Sequence, residues 1–156
     1  MASVYILLII HLIGFGILFT VTVAGWVLST QYRKAKDPQT KILLLKSQQP
    51  LGILSPIGIA IMLASGIGNM VYLGLGPFST GWLSAKLVFF LLLTLSGAVS
   101  GTRSVERTRL VAQLVDGKAP EAVTTRVDAL DRQLRIFYVV QFVLLLIILT
   151  LSVARP

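Results

Sequence analysis

Cysteine is absent from the 156 residues, and histidine occurs once, as His11. Without Cys the chain can form no disulfide, no thiolate nucleophile, no iron–sulfur cluster and no Cys-type zinc site. Charge is scarce as well, at 13% of residues, and only six of the charged groups are acidic. None of those six lies in the long apolar stretches of the chain. This argues against an exporter driven by protonation of a membrane carboxylate, and against a di-metal site built on carboxylates. Neither a nucleophile–base pair nor a phosphate-binding glycine loop is present.

Apolar residues are abundant, at 55% of the chain, and the mean hydropathy is +0.86. Such values exclude a soluble enzyme and describe an integral membrane protein. Four stretches, about Val4 to Leu28, Leu51 to Leu73, Trp82 to Ser100 and Ile136 to Val153, are long enough to cross a hydrocarbon core of about 30 Å. All four must be helices, because an open sheet leaves edge amides unpaired in lipid and four strands cannot close a barrel. The first lacks a preceding Lys or Arg and a small-x-small cleavage site, so it is expected to be retained rather than removed as a signal peptide. The expected fold is an all-α, four-transmembrane-helix bundle forming one membrane domain over residues 1–156.

Orientation follows from the basic residues. The first connection holds Arg33, Lys34, Lys36, Lys41 and Lys46; the third holds Arg103, Arg107, Arg109, Lys118, Arg126, Arg132 and Arg135; the second, Gly74 to Gly81, holds none. The positive-inside rule therefore puts connections one and three in the cytoplasm and both termini outside. The net charge of +8 has the same origin, and implies contact with anionic lipid headgroups rather than with nucleic acid.

Asp37-Pro38 reads as an N-cap and first helical residue, opening a short interfacial helix through Lys41 to Lys46 that ends before Pro50. Pro56 marks a kink in the second span. Gly74 to Gly81 is a short turn that makes spans two and three antiparallel neighbours. Span three is expected to continue as a helix with Thr108, Val111 and Val115 on one stripe, stopping at Asp116-Gly117. Pro120-Glu121 starts a helix in which Val123, Val127, Leu130 and Leu134 recur at helical spacing. Residues 102–135 thus form a helical hairpin projecting about 20 Å into the cytoplasm.

Polar groups inside the spans are the first place to seek function. His11 lies roughly 10 Å in from the outer start of span one and Lys86 roughly 6 Å in on span three, at 1.5 Å per residue. Span two brings Asn69 and Met70 to a similar depth. His11, Lys86, Asn69 and Met70 are accordingly the candidate binding residues, with His11 and Lys86 the catalytic candidates and His11 the metal-ligand candidate. Each has a plainer reading: a snorkelling lysine, a histidine or asparagine joining helices, a packing methionine. Gln141 is expected to make an interhelical hydrogen bond. Gly14 and Gly25 on span one, Gly52, Ser55 and Gly66 on span two, and Gly97 and Gly101 on span three mark faces directed into the bundle. Tyr5, Tyr72 and Trp82 fit an outer aromatic belt and Trp26, Tyr32 and Tyr138 an inner one.

His11 followed by Gly25-Trp26, and Trp82-Leu83-Ser84-Ala85-Lys86-Leu87 opening span three, resemble a group of small bacterial membrane proteins. The group comprises uncharacterised four-helix predicted integral membrane proteins, the copper-resistance D membrane domain and the heme-associated membrane protoporphyrinogen oxidases. The resemblance covers about the first 100 residues, is carried by two short anchors, and is nearest to the uncharacterised branch. It implies a bacterial cytoplasmic (inner) membrane location. In the oxidase branch a first-span His and a third-span Lys are the functional positions, which implies His11 and Lys86, together with heme b. That branch has another His along span three, whereas Leu93 to Thr102 here contains none. A heme would therefore take its sixth ligand from Met70 or a partner subunit, or leave that position open.

Three functions remain open: a non-enzymatic accessory or assembly subunit, with a membrane-protein partner or a second copy of the chain docked on the cytoplasmic hairpin; a heme- or porphyrin-linked redox protein using His11 and Lys86; and a small transporter or metal-handling protein. The absence of native cysteine makes the topology directly testable. In intact cells a membrane-impermeant thiol reagent should label a cysteine placed at Ser79 and spare one placed at Thr125. The reverse pattern would invert the orientation.

Overall fold

The computed structural model describes residues 2–115 and 120–153, with side chains from Tyr5 onward. Four α-helices make up the bundle: α1 (Ala2–Lys34), α2 (Pro38–Tyr72), α3 (Gly81–Val115) and α4 (Glu121–Val153). Each is long and apolar enough to cross a membrane, which makes the chain a multi-pass membrane protein by the length and composition of its helices. At 33 to 35 residues each spans about 50 Å, well beyond the roughly 30 Å hydrocarbon core, so every helix extends past the apolar layer.

Sequential helices are neighbours: α1 packs on α2, α3 on α4, α4 on α1 and α2 on α3, so that α1 faces α3, and α2 faces α4, across the middle. The α1–α2 and α3–α4 connections lie at one end, here the basic end; the α2–α3 connection lies at the other, the turn end.

Helix α2 differs from expectation. Asp37 does cap it, its carboxylate accepting bonds from the Thr40 amide and hydroxyl, both at 2.8 Å. Those bonds, the hydroxyl's first, hold the Asp37 carboxyl below the usual carboxylate range. This contribution to the helix start is present above the ordinary carboxylate pKa and fades as pH falls through the lowered one. The helix does not end before Pro50, however. It runs unbroken through Pro50 and Pro56 to Tyr72, so the expected short interfacial helix is the first part of one long helix. Each proline removes one backbone hydrogen bond, at a cost of about 3 kcal/mol. Packing on both sides offsets that loss: Leu45 and Gln48 are buried before Pro50, and Gly58, Met62 and Ser65 after it.

At the turn end, Leu75 N–H bonds to the Met70 carbonyl and Gly74 N–H to the Val71 carbonyl. That pair of bonds is a Schellman stop, which needs a left-handed residue, and Gly74 supplies it with φ of +63°. At the basic end, α3 and α4 extend as far as expected, and Val123 N–H bonds to the Pro120 carbonyl as α4 begins. The expected stop at Asp116-Gly117 lies outside the described residues.

Two apolar layers hold the bundle. Within the spans, Leu18, Met62, Leu93, Leu144, Leu145 and Ile148 form one. Near the basic end, Tyr32, Leu45, Val111 and Val127 form the other, with Leu130 and Leu134 also fully buried. The stripes expected on α3 and α4 are therefore covered by α1 and α2, and do not project as a free hairpin. Val115 stays exposed. Tyr32, expected in an aromatic belt, is 3% exposed and belongs to this layer.

Close backbone approach separates the glycines into two kinds. A Cβ added at Gly14 would stand 2.9 Å from Ile61 Cγ2 and 3.1 Å from the Met62 amide nitrogen; one at Gly58 would stand 2.9 Å from Leu18 Cδ2. These positions form the α1–α2 seam. A Cβ at Gly25 would stand 2.8 Å from the Tyr138 ring. Gly52, Gly97 and Gly101 were expected to pack in the same way, yet a Cβ at any of them meets nothing within 4 Å.

Gly14→Ala and Gly58→Ala should each destabilise the detergent-solubilised protein by about 1–3 kcal/mol, because the added methyl forces the seam apart. Gly16→Ala, with open space around it, should not. Equal unfolding midpoints for all three in a denaturant titration would contradict the seam.

Candidate functional site

Toward the turn end, His11 on α1 lies against α2, with its ring over Gly66. Its Nδ1 is 2.9 Å from Ser65 Oγ, and Ser65 Oγ is 2.6 Å from the Ile61 carbonyl. A serine hydroxyl has one hydrogen, and a carbonyl can only accept. With the Ser65 hydroxyl donating to the Ile61 carbonyl, Ser65 accepts from Nδ1–H, and Nε2 is the ring nitrogen left outside this contact.

Lys86, half-buried on α3, is close enough for its charge to act on the His11 ring. Asn69 and Met70 are half-buried one turn beyond Ser65, and their carbonyls are used in ending α2, accepting from Leu73 and Leu75. The α2 group that meets His11 is thus Ser65, which the depth argument did not single out. Met62 is a core residue. Among the described residues no three His, Cys, Asp or Glu side chains gather as a metal-binding group.

At mid-span, Gln141 donates from Nε2 to Ser100 Oγ at 2.9 Å, the interhelical bond expected of it.

The basic end contains the polar centre that sequence reading missed. Arg107 on α3 has no exposed surface. Its Nη1 donates to Asp131 Oδ1 on α4 at 3.0 Å and to Ser29 Oγ on α1 at 3.4 Å, and its Nη2 donates to Gln48 Oε1 on α2 at 2.6 Å. The guanidinium also lies 4.8 Å from the centroid of the Tyr32 ring. One side chain thus contacts all three other helices through charge-assisted bonds and a cation–π contact. A signal for it existed: Ser100, Ser104, Arg107 and Val111 fall on one helical stripe, and Asp131 falls beside Leu130 and Leu134. By contrast, Arg126 and Glu106 pair at 2.8 Å while both are exposed, an arrangement worth about 0–1 kcal/mol.

Between these centres α2 and α3 stand apart, leaving a cleft of about 610 Å³ bounded by Gly52, Ser55, Gly97 and Gly101. Its walls contain no acidic residue.

No family model matches the chain, and neither a curated protein nor a solved structure does so.

Removing one partner of a buried ion pair costs about 3–5 kcal/mol, since the other charge remains desolvated. Arg107→Ala should therefore lower unfolding stability by that order, and Arg109→Ala, two residues along and exposed, by less than about 1 kcal/mol. Comparable losses in the two variants would show that Arg107 does not fasten the bundle.

Proposed function

We propose that the chain is a non-enzymatic subunit of a larger membrane assembly, which it serves through its basic end. The observation that carries this reading is the Arg107 centre. It ties all four helices into one rigid head, and around that head Arg33, Lys34, Lys46, Arg132 and Arg135 are exposed. A fixed array of cations suits the acidic face of a membrane-protein partner, where charge complementarity sets register and selects the partner. The apolar stripes of α3 and α4 are covered from within, so docking on this reading is polar and uses the charged rim. With both termini outside, the same head meets the anionic headgroups of the cytoplasmic leaflet of a bacterial inner membrane.

A second reading is favoured by the His11–Ser65 contact. With Nδ1 engaged by Ser65, Nε2 would be the nitrogen that holds a heme iron, and Lys86 would place a positive charge near a propionate, as the resemblance to the protoporphyrinogen oxidases implies. Heme would supply one-electron transfer there. In this chain Ser65 fixes the ring, and Lys86 contributes the positive charge.

The absorption spectrum of the purified protein, oxidised and reduced, separates the two. The subunit reading expects a bare protein spectrum even after hemin addition, and a stoichiometric membrane partner whose retention is lost in an Arg132→Glu/Arg135→Glu variant with unchanged helix content. A strong Soret band that His11→Ala abolishes, with no loss of association in the charge-reversed variant, would overturn it in favour of heme.

A further inference from the structure

Glycine inside a helix costs about 1 kcal/mol relative to alanine, and in membrane helices a close neighbour is the usual reason for it. Gly14, Gly25 and Gly58 have such neighbours; Gly52, Gly97 and Gly101 have none, and all three line the cleft between α2 and α3. No described part of the chain comes within 4 Å of a Cβ built on them.

The cleft is graded along its length. Leu18, Ile59 and Leu93 form its apolar end, in the middle of the spans; Gln48, Gln49 and Arg109 lie toward the basic end. Arg109 makes no ion pair among the described residues. Gln48, only 8% exposed, gives its oxygen to Arg107, and its Nε2 finds no acceptor among the described residues. That amide is a buried donor in a residue of the wall, without a partner among the described residues.

Length identifies the occupant. From Leu93 to Arg109 the cleft runs about 24 Å at 1.5 Å per residue. Half of a hydrocarbon core plus one headgroup layer is roughly 20–23 Å. The cleft therefore has the length of one leaflet, and toward the turn end its lining stops at Ile59 and Leu93. A partner helix that spans the membrane would need a groove along both leaflets.

We infer that the α2–α3 cleft holds a single anionic phospholipid, its phosphate paired with Arg109, its polar ester region beside Gln48 and Gln49, and an acyl chain lying along Gly52, Gly97 and Gly101. Opposite charge at the mouth, an acid-free wall and open space over three glycines all favour such an amphiphile. The inference stands whether or not the basic end docks a protein partner.

Native mass spectrometry of the whole chain, released from micelles containing phosphatidylglycerol or phosphatidylcholine, tests it. The expected result is one retained phosphatidylglycerol per chain, in preference to phosphatidylcholine, not displaced by excess glycerol phosphate. Arg109→Gln should abolish the headgroup preference, and Gly97→Leu/Gly101→Leu should lose both lipids, whereas Gly16→Leu and Arg132→Gln should behave as the unaltered protein. The unaltered protein gives a second readout: phosphatidylglycerol carrying a photoreactive acyl chain should crosslink to residues 93–101. Equal retention by every variant, adducts spread over lipid-facing positions such as Leu91 and Leu95, or a lipid-free dimer crosslinked through the cleft would each overturn the proposal.

Discussion

A guanidinium withdrawn from water carries a charge and N–H donors that need partners, and the two terminal nitrogens of Arg107 find theirs only where Ser29, Gln48 and Asp131 arrive together beside the Tyr32 ring. Lipid tails are as apolar as leucine, so hydrophobic contact alone gives membrane helices little reason to prefer one register over the next. The Arg107 centre removes that freedom. If one helix slides by a turn, a buried charge loses an acceptor. The layer of Tyr32, Leu45, Val111 and Val127 is thereby held at one height.

The bundle is thus fastened at its two ends by different means. At the basic end the fastening is electrostatic. At the turn end it combines the Schellman stop at Gly74, the seam of Gly14 and Gly58, and the His11–Ser65 bond. Between these ends, α2 and α3 have no seam of their own, and the cleft results. Fixed ends with an open middle form a frame that can hold a ligand without refolding.

Ser65 gives the His11 centre its chemical character. Its hydroxyl lies 2.6 Å from the Ile61 carbonyl and 2.9 Å from Nδ1, so the orientation of the imidazole is fixed by neighbours of the same chain. A ring so held can join two helices or present Nε2 to a ligand, and the geometry is common to both uses.

Four helices, the Asp37 cap, the start of α4 and the contact of spans two and three were legible from apolar length and from proline and glycine placement, because those are properties of residues near one another in sequence; that the first connection is only the start of one long α2 was not. The stripes of Val111, Val127, Leu130 and Leu134 were legible too: at the basic end, beyond the long apolar stretches, a buried face still differs in composition from an exposed one. Within the spans that contrast disappears, since lipid-facing and core-facing side chains are equally apolar, so the sequence could not tell the packed glycines Gly14 and Gly58 from the open ones Gly52, Gly97 and Gly101. Arg107 shares a helical stripe with Ser100, Ser104 and Val111, but nothing local named its partners on the other helices, or Ser65 rather than Asn69 as the group that meets His11. The rotation of each helix against its neighbours decided those points, through the requirement that buried donors and charges find partners on other helices.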